Sequence, residues 1–335
     1  MLVHSSAPTR LDLAGGTLDI WPLYLFHSNS QTLNAALSLK VECTVSTSED
    51  QYWHLESQDT EETITIADLD DSHASSKNRL LYRVLQHFRP DPVRITTRSD
   101  SPVGAGLAGS SALTVALCAA LSRYTETSYS PNSLMSLAAN LEVQVIGVPT
   151  GVQDYRPAMY GGVAAIEMGP AGVTRTKLEV DPKELSRRII IAYTGQSRNS
   201  GINNWEITKR HINGDDDVIE LLHEISKTAA AMRAALEAAD WAQVSRQVAN
   251  EWKLRKCLAP TVTTPTIEKF IQHGLVVGAQ AAKICGAGGG GCILFIADPL
   301  TVPSIRKTLK EKGASVLDTE ISEGGLQVNV ERFPS

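Results

Sequence analysis

Three groups of residues in this chain have the types and the spacing to do chemistry. The run Ser101-Pro102-Val103-Gly104-Ala105-Gly106-Leu107-Ala108-Gly109-Ser110-Ser111-Ala112 sets three glycines and the serine pair Ser110-Ser111 just before an apolar helical stretch from Leu113. A glycine-rich loop opening a helix leaves backbone N–H groups unpaired at the positive end of the helix dipole, which suits an anion such as phosphate. The glycines let the backbone approach that anion, and Ser110 and Ser111 add hydroxyls for phosphate or a metal ion. A tightly packed strand–helix turn of small residues has the same local wording. The second group is Glu142 and Asp154, twelve positions apart with Gly147-Val148-Pro149-Thr150-Gly151-Val152-Gln153 between them. A loop of that length can bring both carboxylates to one site, and two unconnected surface acids fit it as well. The third is Arg10-Leu11-Asp12-Leu13-Ala14-Gly15-Gly16-Thr17-Leu18-Asp19, which delivers polar residues at a strand end and its loop. Binding groups commonly sit at such places on a rigid support, and a plain turn with a capping aspartate is the other reading.

Regular elements must position these groups. Alternation predicts strands at Thr9 to Ala14, Leu39 to Ser46, Thr63 to Ile66 and Pro92 to Ser99. Helical spacing marks Asn78 to Phe88, the stretch after Ser111, and a helix from Pro131 to Glu142 started by Pro131-Asn132-Ser133. Gly104-x-Gly106-x-x-Gly109 formally fits the dinucleotide fingerprint, but a second helical stretch follows instead of a strand, so no βαβ unit forms. The same glycines have Walker A spacing, yet Ser110 stands where that motif needs lysine. A phosphate loop of another kind remains. The polar, Gly/Pro-bearing stretch 168–188 reads as a domain boundary, giving domains 1–175 and 185–335. Beyond it come a strand at 188–193, helices at about 217–238, 240–256 and 265–274, and five glycines within Gly286–Gly291 before the strand Cys292 to Ile296. The tail reads as a helix at about 300–312 and strands at 315–318 and 326–331.

Composition bounds the function. With 335 residues the chain can build two packed domains, and 42% hydrophobic with 20% charged residues is ordinary globular content. A net charge of −6 with mixed signs offers no basic field, so no nucleic-acid partner is expected. No apolar run approaches a membrane span, and no signal-peptide core follows Met1. Five scattered cysteines without a C-x-x-C pair, and eight histidines never at metal-ligand spacing, predict a reduced cytoplasmic protein without zinc.

The glycine–serine run resembles the second motif of the GHMP kinases, the superfamily of galactokinase, homoserine kinase and mevalonate kinase, with Ala108-Gly109 replacing its usual Gly-Ser. The segment Arg10 to Asp19 is similar to the first motif in its heptose kinase and fucokinase form, with Thr17-Leu18 in place of Gly-Thr. Gly147 to Asp154 is close to the galactokinase wording, Gly286 to Gly291 is like the third motif, and Tyr193-Thr194-Gly195-Gln196-Ser197-Arg198 looks like the heptose kinase branch; Trp252-Lys253-x-x-Lys256-x-Leu258 resembles that branch and equally fits helix packing. The resemblance implies an α+β, two-domain GHMP kinase fold: an N-terminal ribosomal-protein-S5-like α/β domain and a C-terminal ferredoxin-like split βαβ domain. It implies ATP phosphates on Pro102 and on Gly104 through Ser111, with the Gly286–Gly291 loop supporting that loop. Mg²⁺ would sit on Ser110 and Glu142, Asp154 would act as base, and Arg10 would lie beside the reacting phosphate. Gly16, Asp19, Asp154, Gly195 and Arg198 would contact the acceptor, Asp19 through sugar hydroxyls. The function implied is an ATP-dependent sugar kinase acting on a sugar or sugar phosphate, a heptose 7-phosphate leading and an anomeric hydroxyl favoured, in a monomer or homodimer. A mevalonate-, homoserine- or galactokinase-like enzyme, a non-catalytic sugar sensor and a dehydrogenase are the alternatives.

Overall fold

The apolar runs of the chain close into two sheets with helices between and outside them. The computed structural model describes residues 1–70, 78–197 and 201–332, with 201–203 described by backbone only. The first sheet is built from β1 (Leu2–Ala14), β2 (Gln31–Thr47), β3 (Trp53–Ser57), β4 (Glu62–Ile66), β5 (Val93–Ser99), β6 (Val163–Gly169), β7 (Gly172–Lys177) and β12 (Gln327–Glu331), in the order β12-β1-β2-β5-β3-β4. The long strand β2 forks the sheet. Its far half, Val41 to Thr47, pairs with β5, and its near half, Gln31 to Ala35, pairs with β6, which leads to β7. The second sheet has the order β11-β8-β10-β9, from β8 (Ile189–Tyr193), β9 (Ala279–Ile284), β10 (Cys292–Ala297) and β11 (Ser315–Val316).

Helices α1 (Arg79–Phe88), α2 (Gly109–Tyr124) and α3 (Pro131–Ile146) share one core with β1, β2 and β5. Ala and Leu on nearly every side of α2 suit its burial among sheet and helices, whereas α1 is strongly amphipathic. The short α4 (Tyr155–Tyr160) carries the chain from α3 to β6. After α5 (Pro182–Arg188) and α6 (Gly201–Ile212), the long helices α7 (Asp216–Glu237) and α8 (Trp241–Leu258) lie against both sheets. A second core joins Leu11, Leu13 and Leu33 to Met232, Val248 and Leu294. Finally α9 (Pro265–Val276) and α10 (Val302–Glu311) cover the other face of the second sheet. Among the described residues, no helix is long and apolar enough to cross a membrane.

Three features differ from the sequence reading. The stretch 168–188 holds the end of β6, the hairpin strand β7 and the helix α5, because Gly172-Val-Thr-Arg-Thr-Lys177 alternates and pairs at the sheet edge despite its polarity. Helix α6 is present where no helix was expected. The strand expected at 326–331 exists but belongs to the first sheet: it lies antiparallel to β1 from Leu2↔Glu331 to Ser6↔Gln327, with Val328 against the first core. Two-residue β11 ends too soon to carry it along the second sheet.

Candidate active site

Arg10 leaves β1 fully buried and ties three segments together. Its Nε and Nη2 donate to Asp154 Oδ1 at 2.9 and 2.7 Å, its Nη1 donates to the Gly106 carbonyl at 3.0 Å, and its backbone N–H donates to the Leu107 carbonyl at 2.9 Å. Burial disfavours its charge, but Asp154, Asp12 and Asp19 outweigh that and hold the guanidinium more firmly protonated. Asp154 stands at the start of α4, its side chain 19% exposed. Both of its described side-chain bonds end on Oδ1.

The loop before α2 reaches the same place. Gly104, Gly106 and Ala108 all have positive φ, and Ala108 caps α2 without a side-chain acceptor. The amides of the first turn are therefore left for a ligand. Helix α3 brings in Glu142, which is 5% exposed. Ser111 Oγ and Tyr155 OH donate to its Oε2 at 2.8 and 2.7 Å, and the Ser110 hydroxyl lies near enough to favour its charge. Burial pushes the Glu142 carboxyl up against these hydrogen bonds. Among the described residues no group of three or more His, Cys, Asp or Glu could hold a metal ion. A metal here would rest on Glu142 and Ser110 plus phosphate and water oxygens. That sparse, all-oxygen set fits Mg²⁺. The buried Tyr155 and Ser111 were not singled out in the sequence as partners of Glu142; Tyr155, next to Asp154 at the head of a short helix, carried the one usable signal.

The Gly286–Gly291 loop supports the loop before α2 by direct backbone contact. Cys292 N–H donates to the Ala105 carbonyl at 2.8 Å. A Cβ on Gly291 would lie 2.7 Å from that carbonyl oxygen, and one on Gly106 2.5 Å from the Cys285 carbonyl oxygen, so neither position admits a side chain.

A cavity of about 430 Å³ joins these pieces. Its walls take in Arg10, Gly16, Thr17 and Asp19 from the first segment, the loop from Pro102 to Ser111, Glu142, Asp154 and, from the α1 side, Asn78 and Leu81. The expected acceptor residues divide. Gly16 and Asp19 line the cavity with Asp154, whereas Gly195 is not among its walls. Gly195 turns the chain after β8, where Thr194 N–H and the Gln196 carbonyl bond to Gly291. Arg198 lies outside the described residues. Thr17 adopts φ 82° without being glycine, and Leu18 points away from the cavity into a cluster with Leu222, Ile225 and Leu258. Asp19 is 2% exposed, with Oδ2 accepting from Gln153 N–H and Oδ1 from Gln153 Nε2, both at 3.1 Å. Burial, then the nearby Asp154 charge, pushes its carboxyl up to about 7.

A buried ion cluster that the sequence reading missed reaches the cavity through Asp12 and Arg255. Lys283 Nζ is 3.6 Å from both Asp12 and Glu251, and Arg255 is 3.4 Å from Asp12 and bonds to the Gly286 carbonyl at 2.8 Å. Burial opposes the Asp12 charge, but Lys283, Arg255 and Arg10 outweigh it and hold the carboxyl low; burial pushes Glu251 up. A lysine inside the apolar run Ala281-Ala282-Lys283-Ile284 was the available signal.

The two halves of this arrangement correspond to two matched families. Residues 78–162 match the GHMP kinases N terminal domain, and residues 232–315 match the GHMP kinases C terminal family, together about half of the chain. This chain is a GHMP kinase. Members transfer phosphate from ATP, and the strand–loop–helix from β5 to α2 falls inside the first match. The D-glycero-alpha-D-manno-heptose 7-phosphate kinase of Campylobacter jejuni is 27% identical, the match covering 97% of this chain and 98% of that one. The bifunctional fucokinase/GDP-fucose pyrophosphorylase of Arabidopsis thaliana is 26% identical over 91% of this chain but 31% of its own length. Among solved structures, a D-glycero-D-manno-heptose 1-phosphate kinase from Bacteroides thetaiotaomicron superposes with a TM-score of 0.79 at 22% identity, covering 99% and 100% of the two chains. Lactococcus lactis galactokinase complexed with galactose superposes at 0.76 and 15% identity, covering 97% and 95%. The GHMP kinase fold of both halves is thus established for this chain.

Proposed function

We propose that this GHMP kinase transfers the γ-phosphate of ATP to the anomeric hydroxyl of a sugar, with a seven-carbon sugar phosphate as the leading acceptor. The observation that carries the chemistry is Arg10 bonded at once to Asp154 and to the Gly106 carbonyl. It fixes a proton acceptor against a phosphate loop. The first-turn amides of α2 bind the β- and γ-phosphates. The acceptor oxygen attacks the γ-phosphorus, its proton passes to Asp154 Oδ2, and the bond to the ADP oxygen breaks. Transition states of this kind are loose, so positioning and charge stabilisation dominate. Arg10 offsets negative charge on the reacting group. Mg²⁺, held by Glu142 and Ser110, supplies charge neutralisation when bound. An anomeric hydroxyl is more acidic than an ordinary alcohol, which suits a carboxylate base.

The sugar class is supported by the extent of the likeness. The heptose 7-phosphate kinase matches 97% of this chain, whereas the mevalonate kinase of Pyrococcus furiosus matches 70%. The test is a kinase assay over sugars, sugar phosphates, mevalonate and homoserine, with phosphorus and carbon NMR of the product. Phosphate on the anomeric carbon is expected. Phosphate on a primary carbon rejects the anomeric assignment, and turnover of mevalonate or homoserine alone rejects the sugar class. Glu142→Gln and Ser110→Ala are each expected to raise the Mg²⁺ concentration needed for half-maximal turnover. Failure of added Mg²⁺ to recover activity in either variant would count against the metal assignment.

A further inference from the structure

Glu142 is a buried acid met by hydroxyls instead of a basic side chain. It is 5% exposed, and among the described residues no ion pair reaches it. A charge buried this far ordinarily takes a cation, from a side chain or from a metal. Tyr155 OH and Ser111 Oγ converge on the same carboxyl oxygen, Oε2, at 2.7 and 2.8 Å. The two donors differ in place. Ser110, Ser111 and Glu142 all line the cavity, whereas Tyr155 is not among its walls; it is 1% exposed and packs into the first core. The phenol thus approaches the cavity from behind, through Glu142. Tyr155 is also the first residue of α4, directly after Asp154. The head of that helix therefore carries the reactive aspartate on its chain and props the acid of α3 with its next side chain.

We infer that Tyr155 is a positioning residue for the metal: its phenol fixes the Glu142 carboxylate in the orientation that meets Mg²⁺, and it touches neither nucleotide nor acceptor. Groups behind a metal ligand set its direction, and their loss typically costs about 10- to 100-fold in metal affinity. The inference rests on Glu142 as a metal ligand and is independent of which acceptor is phosphorylated.

The test compares Tyr155→Phe, Glu142→Gln and the double variant with the parent enzyme. Phenylalanine keeps the ring and its packing in the first core, so only the hydroxyl is lost. The first readout needs no turnover: the affinity for a non-hydrolysable ATP analogue is measured by calorimetry in saturating Mg²⁺ and again in EDTA. The ratio of the two affinities reports how strongly the site couples metal to nucleotide. Tyr155→Phe should lower that ratio by about tenfold, with the EDTA affinity kept within about threefold. In the kinase assay it should raise the Mg²⁺ concentration for half-maximal turnover by a similar factor, with kcat at saturating Mg²⁺ kept within about threefold. The double variant should be no worse than Glu142→Gln alone, because Tyr155 acts through that carboxylate. A lower melting temperature with an unchanged ratio would make the contact purely structural and overturn the inference. Losses that multiply in the double variant would overturn it too, by giving Tyr155 a route other than Glu142. If Glu142→Gln lowers the ratio and Tyr155→Phe does not, the positioning role alone falls. If Glu142→Gln leaves the ratio unchanged, the metal assignment falls and takes this inference with it.

Discussion

Asp154→Asn is expected to lower turnover by about 10²–10⁴-fold while nucleotide binding is kept, the usual scale for losing a general base. The substitution preserves size, so the short helix α4 and the Tyr155 contact to Glu142 remain. What is lost is specific. Asparagine's oxygen can still accept from Arg10, as Asp154 Oδ1 does at 2.7 Å. Its amide nitrogen then occupies the place of Oδ2, presenting donors where the acceptor hydroxyl must give up a proton. The loop before α2, held by the Arg10 bond to Gly106 and by Cys292 on Ala105, needs nothing from that carboxylate. Steady-state turnover beside an equilibrium measurement of ATP binding checks the pair of outcomes. Near-parental turnover would remove Asp154 from proton transfer and leave it with positioning alone.

Lys283→Met is expected to destabilise the protein by about 3–5 kcal/mol, the range for removing one partner of a buried ion cluster. Lys283 is 0% exposed between Asp12 and Glu251, which are 1% and 0% exposed. Methionine fills much of the same volume, so the cost is electrostatic more than a cavity. Two carboxyl groups would then face one another with Arg255 as their nearest counter-charge. Replacing Glu251 by glutamine in the same chain should recover part of the loss, because one of the uncompensated acids is gone. Denaturant unfolding of parent, single and double variants measures both effects. A shift below about 1 kcal/mol for Lys283→Met would mean that the cluster is hydrated or already neutral. The cluster also has a functional side: Arg255 runs from Asp12 in the first segment to the carbonyl of Gly286. It links the cavity wall to the glycine loop that packs on the loop before α2.

The sequence by itself determined the parts of this protein that local chemistry controls. Gly104, Gly106 and the Gly286–Gly291 run had to mark backbone that other residues cannot adopt, and the structure puts positive φ at Gly104 and Gly106 and at five of those six positions of the run. Pro131 after Ser130 and Thr264 before Pro265 are start signals readable in a few residues, and α3 and α9 begin there. Helical and alternating periods likewise announced most helices and strands, because one face of each must be buried. Tertiary structure alone decided which charged and polar groups meet. Asp19 and Gln153 are 134 positions apart and Arg255 and Asp12 are 243 apart. No local pattern states such a pairing, because a carboxylate's role follows from which donors reach it and how dry the site is. Hence Asp19 reads in sequence as a sugar contact, and only the fold adds the two hydrogen bonds that it accepts from Gln153. Leu18 departs from the motif wording, and only the fold shows that it packs against α7 with Leu222 and Ile225. The last strand shows its period but not its partner: the free edge of β1 takes it, a choice made by which sheet edge lies open where the chain arrives.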